Sequence, residues 1–244
     1  MIDQMVRRPR DVAAVALAGA AAWVGVLWLV RSSAMSMGPT IGLSIVRFLG
    51  AWTLMMAAMM LPLVSPVAAL YVRSFERPRG HRLAEFTLGY LVIWTAIGVP
   101  AFGVALAADA VSMKVPAAGR WAVVGVLVAL VAYQLTPLKL LCLKHCRSPL
   151  AQLLNYAGYR GTLRDLRVGA HHGLYCAGCC WPLMLLLVAT GTMNVGMMLA
   201  LTAAIAAEKL LPYGLAISRA VAGAAAVLAV ALAVSPPLFA LLVS

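Results

Sequence analysis

The chain has 244 residues, of which 64% are hydrophobic and only 11% are charged. Soluble globular domains are about half apolar and about a quarter charged, so this composition excludes an ordinary soluble fold and predicts a membrane protein. The formal charge of +12 could indicate nucleic-acid binding, but long apolar runs separate the basic residues and no soluble basic domain is visible. Lys and Arg concentrated on one side of a bilayer explain the charge better.

Seven apolar runs predict an all-α fold, a polytopic transmembrane helical bundle with six to seven spans. A spanning helix needs about 20 mostly apolar residues. In chain order the runs are 12–30, 48–71, 83–108, 120–142, 168–190, 195–211 and 214–234. The fifth run is polar at its start and the sixth is short, which leaves the number at six or seven. The first run is too long for a signal-peptide core, so we expect a retained anchor helix within a single integral membrane domain, 1–244.

The distribution of Lys and Arg predicts that the N-terminus lies inside. With that orientation, 15 of these residues fall in inside segments and four in outside segments. Cytoplasmic loops carry the excess of positive residues, which fits a multi-pass protein of a bacterial-type inner (cytoplasmic) membrane. The same topology puts all five cysteines in the cytoplasmic half of the membrane, where structural disulfides are disfavoured. We therefore expect free thiols or thiolates.

Four methionines lie in the second predicted span, within the stretch WTLMMAAMMLPLVSP. The pairs Met55/Met59 and Met56/Met60 are spaced i, i+4, so the members of each pair share a helix face. A thioether is a soft, neutral ligand that selects Cu(I) over harder ions. Methionine is also a flexible filler of apolar cores. The four methionines are therefore candidate transit or secondary ligands, with packing as the alternative.

A second group of soft ligands ends the fourth predicted span and consists of Cys142, His145 and Cys146. If this segment is helical, Cys142 and Cys146 differ by about 40° around its axis. Pro137 precedes the group, and proline breaks in membrane spans can mark binding sites at discontinuous helices. The following loop, 143–167, suits either a short interfacial helix or a solvated basic loop.

The fifth predicted span opens with the stretch HHGLYCAGCCWPLM. At about 100° per residue, His172, Cys176 and Cys179 share one face within about 60°, and Cys180 lies at its edge. His171 points about 100° away from His172, and we interpret it as a loop or interface residue. Thiolate and imidazole ligands suit Cu(I), Zn or iron–sulfur chemistry. Both groups of cysteines and histidines flank one loop, which allows them to converge on one site.

Two alternatives to a metal site remain open for these cysteines. Free Cys packs as a small hydrophobe, although three cysteines beside a histidine on one helix are more than packing requires. Cys176 and Cys179 also form a C-x-x-C, which is typical of redox pairs. No βαβ pattern surrounds it, so the alternative is a membrane thiol–disulfide oxidoreductase rather than a soluble one. The sequence has no Ser/His/Asp set, P-loop or carboxylate pair, and we predict no other catalytic residue.

Glu208 and Lys209 close the sixth predicted span. Ionisable residues inside a membrane are candidates for a functional role. Because Glu208 falls near the predicted interface, we interpret it as one half of an ion pair with an adjacent helix or as a snorkelling helix end.

Several of these stretches together resemble the DUF2182 family of predicted metal-binding integral membrane proteins, some members of which are labelled copper chaperones. They are AWTLMMAAMMLPLVSP, LKHCRSPL, HGLYCAGCCWPLMLL and GTMNVGMMLA followed by EKLLP, and they extend over roughly 48–215. The H-G-x-x-C-x-G-C-C-W pattern of the family falls on His172, Gly173, Cys176, Gly178, Cys179, Cys180 and Trp181. A K-x-x-C-R-x-P-like stretch corresponds to Lys144 through Pro149, and the methionine-rich stretch to Met55, Met56, Met59, Met60 and Pro62. The resemblance implies metal binding in the membrane, with copper favoured, and no established reaction.

We therefore expect a membrane-embedded protein that binds a soft metal, Cu(I) before Zn, for copper handling, uptake or delivery. The expected partners are the lipid bilayer and a copper-accepting or copper-donating protein, and no nucleic acid. The candidate metal ligands are His172, Cys176, Cys179, Cys180, Cys142, Cys146, His145, Met55, Met56, Met59 and Met60. Besides the oxidoreductase, a membrane assembly or scaffold subunit that holds a structural metal is the remaining alternative.

Overall fold

The computed structural model describes residues 10–32, 44–73, 79–114, 118–190, 194–235 and 237. Over these residues all regular elements are helices, which confirms the all-α prediction. They are α1 (Arg10–Ser32), α2 (Ile45–Arg73), α3 (Arg79–Lys114), α4 (Ala118–Gln134), α5 (Pro137–Arg147), α6 (Pro149–Tyr156), α7 (Arg164–Thr190), α8 (Val195–Leu210) and α9 (Gly214–Val234).

Five helices, α1, α2, α3, α7 and α9, are long and apolar enough to cross a membrane, and α4 with α5 makes a sixth if the bent pair is one span. The chain is therefore a multi-pass membrane protein. Helix α8 has 16 residues. At 1.5 Å per residue it is about 24 Å long, shorter than a hydrocarbon core of about 30 Å. The described residues therefore contain five or six candidate spans, which reaches the lower of the two predicted numbers, six, and does not reach seven.

The fourth predicted span, 120–142, is not a continuous helix. It breaks after Gln134 and resumes at Pro137, and the two parts differ in direction by 71°. Proline lacks the amide hydrogen that would continue the helical ladder. Thr136 caps the new helix, since its side chain accepts a hydrogen bond from the Lys139 amide at 3.2 Å. The break turns α5 onto α7, and this contact brings together the two groups of cysteines.

Helices α2 and α7 form the centre of the bundle. In each of these two helices, 67% of the most apolar 18-residue stretch is buried, compared with 22–28% of the same stretch in α1, α3 and α9. Helix α1 packs on α2, α3 packs on α7, and α9 packs on α4. The two helices that carry the methionine pairs and the C-x-x-C are thus the ones most shielded by protein.

Helices α3 and α7 cross at close range through two glycines, Gly89 and Gly169. A Cβ at Gly89 would run into the carbonyl of Leu166, and a Cβ at Gly169 would run into the carbonyl of Phe86. Small residues at such crossings allow membrane helices to approach closely. The crossing places Tyr90 of α3 beside the cysteine-bearing face of α7.

A buried polar network joins α4, α5, α8 and α9 at the helix break. Lys139 Nζ lies 2.6 Å from Glu208 Oε2 and donates to the Cys179 carbonyl at 2.7 Å. Gln134 Nε2 donates to Glu208 Oε1 at 2.8 Å, and Ser218 Oγ donates to Gln134 Oε1 at 3.1 Å. Glu208 is 0% exposed. It therefore forms the ion pair with an adjacent helix, and the snorkelling alternative is wrong for this residue.

Candidate metal-binding site

A cavity of about 210 Å³ lies where α2, α5, α7 and α8 meet. One wall is apolar and comes from α2, while the other carries thiol, imidazole and ammonium groups. The lining residues are Leu63, Val64, Pro66, Val67, Cys146, Arg147, His172, Cys176, Lys209 and Leu210. The structure therefore brings His172 and Cys176 of α7 together with Cys146 of α5 around one space.

Cys176 has the most polar surroundings of the cysteines in this cavity wall. Its sulfur lies 2.9 Å from Lys209 Nζ and 3.0 Å from the Tyr90 hydroxyl, and the residue is 2% exposed. An ammonium group beside a thiol favours the thiolate, which is the form that binds metals and acts as a nucleophile. Cys176 is thus held by an ammonium group and a phenol hydroxyl at the edge of the cavity.

His172 is buried on the same face, one turn before Cys176. The Tyr156 hydroxyl lies 3.2 Å from His172 Nδ1. Burial raises the pKa of Tyr156, so its hydroxyl stays neutral and can accept a hydrogen bond from Nδ1–H. That arrangement would leave Nε2 free to bind a metal, and metal-ligating histidines usually have such a partner on the other nitrogen.

Cys179 lies one turn further along α7 and faces α5 rather than the cavity. It is 0% exposed and packs against Cys142, and Cys146 packs against the same cluster. Gly178 allows this approach, because a Cβ there would come within 2.9 Å of the Cys142 sulfur. Cys146 therefore connects the cavity to a buried pair of thiols behind it.

Cys180 and His145 lie outside the cavity lining. The Cys180 thiol donates to the Cys176 carbonyl at 3.0 Å, so it is engaged with its own helix. His145 stacks on Tyr175, with ring centroids 3.7 Å apart, and lines a separate groove. His171, interpreted above as an interface residue, lies close to His145, with ring centroids 5.7 Å apart.

The methionine pairs of α2 are buried in the core. Met55 is 1% exposed, and Met56, Met59 and Met60 are 0% exposed. Leu63 and Val64 line the cavity. They follow Met59 and Met60 by four residues each, so each lies on the same helix face as its methionine. The methionines therefore lie in the protein core one and two turns before the cavity wall.

The side chains lie near one another but are not arranged around a common point. Among the described residues, no group of three or more His, Cys, Asp or Glu side chains has the geometry to hold a metal ion. The donors at the cavity are two thiols and one imidazole against an apolar wall, and this chemistry suits a soft metal. The ligand set stays a prediction.

Lys209, Tyr90 and Tyr156 were missed by the sequence analysis as residues of this site. Lys209 gave the clearest signal, since it is an ammonium group close behind an apolar run. The interpretation rested on its neighbour Glu208, near the predicted interface, and gave Lys209 no role at the cysteines. The two tyrosines belong to α3 and α6, and only the tertiary structure brings them to α7.

The fold and the cavity define a class, that of multi-pass helical membrane proteins with a thiol- and imidazole-lined interior suited to a soft metal. Within that class the chain belongs to the PpoB2 copper chaperone family, whose model matches residues 49–232. No curated protein and no solved structure matches the chain. The family match covers both groups of cysteines and the four methionines of α2.

Proposed function

We propose that this protein binds Cu(I) within the membrane and passes it on, as a copper-handling protein for uptake or delivery. The proposed ligands are Cys176, His172 and Cys146 at the cavity, with Cys179 directly behind them. The observation that carries the proposal is the position of the Cys176 sulfur at the cavity edge, with Lys209 Nζ at 2.9 Å. Membership of a copper chaperone family supports copper as the cargo.

The chemistry of the donors favours Cu(I) over harder ions. Thiolates and thioethers are soft ligands, and the whole chain has only seven Asp and Glu residues. Lys209 provides a positive charge beside Cys176 when no cation is bound. A bound Cu(I) would take over this role, so the Lys209 ammonium would have to move away from the sulfur.

The buried methionines are proposed as transit ligands that lead toward the cavity. They need no deprotonation and therefore suit a fully buried position. Cys180 and Cys142 are proposed as secondary contributors to the thiol site, and His145 as a copper ligand outside it. We also propose that the chain is related to the DUF2182 family and forms a single membrane domain over 1–244. It would lie in a bacterial-type inner membrane with its N-terminus inside. The Lys and Arg distribution supports this orientation.

Metal analysis of the purified protein tests the cargo directly. Protein prepared under reducing conditions from copper-supplemented cells is expected to retain copper, and added zinc is expected to leave that copper in place. The reason is that thiolate-rich sites bind copper more tightly than zinc when both are present. Copper and zinc are counted in the same sample by elemental analysis. Retention of zinc with no copper would contradict Cu(I) as the cargo.

A thiol–disulfide oxidoreductase remains the second candidate, favoured by the contact between Cys146 and Cys179. Among the described cysteines, all five are free. The sequence paired Cys176 with Cys179, whereas the packing of Cys146 near Cys179 joins α5 to α7. A reversible Cys146–Cys179 disulfide found in cells by differential alkylation would favour this candidate over copper handling.

A further inference from the structure

Two histidines from different helices meet outside the cavity. His145 of α5 and His171 of α7 have ring centroids 5.7 Å apart, with ring planes at 71°. Tyr175 contacts both rings. Its ring centroid lies 3.7 Å from that of His145, in a stacked arrangement, and 5.0 Å from that of His171, in an edge-on arrangement. Tyr156 and Tyr159 each lie 5.8 Å from His171 and complete the aromatic surroundings.

Each of these histidines has one ring nitrogen with no hydrogen-bond partner. His145 Nε2 and His171 Nδ1 are shielded from solvent and make no hydrogen bond to any described group. The great majority of buried polar atoms in proteins have a partner, so two such nitrogens on neighbouring rings need an explanation. A ligand that accepts both lone pairs would provide one.

The ring separation suits a metal ion bound between the two imidazoles. A metal–nitrogen bond of about 2.0–2.1 Å puts the metal about 3.2 Å from each ring centroid. Two rings bound to one ion then have centroids roughly 5–6.5 Å apart, depending on the angle at the metal. The observed 5.7 Å falls within this range.

A groove of about 470 Å³ gives access to His145 from outside the bundle. Among the described residues its lining contains no carboxylate, and it consists of Leu138, Leu141, Cys142, Lys144, His145, Ser148, Gln152 and Tyr175. A carboxylate-free groove disfavours hard cations such as Mg²⁺ or Ca²⁺. Cys142 lines the groove and also packs against Cys179, so the groove adjoins the thiols that lie behind the cavity.

We propose that His145 and His171 form a second metal-binding site, at which a copper ion binds between two imidazole nitrogens before or after it occupies the thiol cavity. His171 points to a different side of α7 from His172, which is why adjacent histidines serve two sites. The choice of copper rests on the proposed function, whereas the site itself rests on the unpartnered nitrogens and the groove. Two neutral imidazoles bind Cu(I) more weakly than a thiolate set does.

Anaerobic titration of the full-length protein with Cu(I), in the presence of chelators of graded strength, tests this site. We expect the wild type to bind a tight and a weaker equivalent. The double variant His145→Ala/His171→Ala is expected to lose the weaker equivalent alone. The single variants His145→Gln and His171→Gln keep the side-chain volume better and are expected to weaken that equivalent at least about tenfold. The control His81→Ala removes an exposed histidine of α3 and is expected to change neither equivalent.

The outcomes separate this site from the thiol site. Loss of the tight equivalent in Cys176→Ser/Cys179→Ser, with the weaker one kept, supports both proposals. If that variant keeps both equivalents while the histidine variant loses one, the cavity assignment fails and the histidine site stands. If the correctly folded His145→Gln and His171→Gln proteins bind copper like the wild type, the histidine site is overturned whatever the cysteine variant does.

Discussion

Replacing Cys176 and Cys179 together by Ser is expected to weaken Cu(I) binding at least about 100-fold, because loss of an outer partner of a metal ligand alone costs about 10–100-fold. The Cys176 sulfur lies at the cavity edge between Lys209 and Tyr90. Cys179 lies directly behind the cavity, in the cluster against which Cys146 of α5 packs. Ser provides a hard oxygen in place of a soft sulfur at both positions. Competition titration with a Cu(I) chelator measures the effect.

Cys180→Ser is the matched control for this variant. The Cys180 thiol donates to the Cys176 carbonyl and does not line the cavity, and a serine hydroxyl can donate the same hydrogen bond. As a secondary contributor outside the cavity lining, Cys180 is expected to cost far less Cu(I) affinity when replaced by Ser than the double replacement does. An unchanged affinity in the double variant would show that the ligands lie elsewhere.

Lys139→Met is expected to lower the free energy of unfolding by about 3–5 kcal/mol, since removing one partner of a buried ion pair leaves the other charge uncompensated. Lys139 is 1% exposed and lies 2.6 Å from Glu208 Oε2. It also donates to the Cys179 carbonyl at 2.7 Å, so its loss is expected to loosen the contact between α5 and α7. Chemical or thermal unfolding in detergent, followed by circular dichroism, measures the change.

Lys144→Met provides the control on the same helix. Lys144 is exposed, and exposed substitutions usually change stability by no more than about 0.5 kcal/mol. Adding Glu208→Gln to Lys139→Met removes the uncompensated charge and is expected to recover part of the lost stability. Equal unfolding midpoints for Lys139→Met and Lys144→Met would contradict a supporting role for the buried pair.

The helices could be predicted because runs of about 20 apolar residues have few other solutions in a membrane. The direction of α5 could not. Pro137 indicated a break, but the 71° bend depends on Thr136 capping the new helix and on the buried partners of Lys139. The cap is local, whereas the partners of Lys139 are known only once α7 and α8 are in place.

Part of the candidate site could likewise be predicted from the sequence, and part could not. Helical periodicity placed His172 and Cys176 on one face of α7, and both line the cavity. Periodicity of one helix says nothing about its neighbours, so Lys209 beside Cys176 was missed. His171 was set aside because it points away from His172, although on that side it meets His145 of α5.

X-ray absorption at the copper edge, on wild-type protein loaded with one equivalent under reducing conditions, tests the binding of Cu(I) by cavity thiols most directly. We expect the spectrum of Cu(I) with mainly sulfur neighbours, at a distance of about 2.3 Å by comparison with zinc–thiolate bonds. The sulfur contribution should fall in Cys176→Ser/Cys179→Ser, in which Cys146 is the thiol that remains at the cavity. A first shell made only of nitrogen and oxygen in the wild type would contradict the assignment.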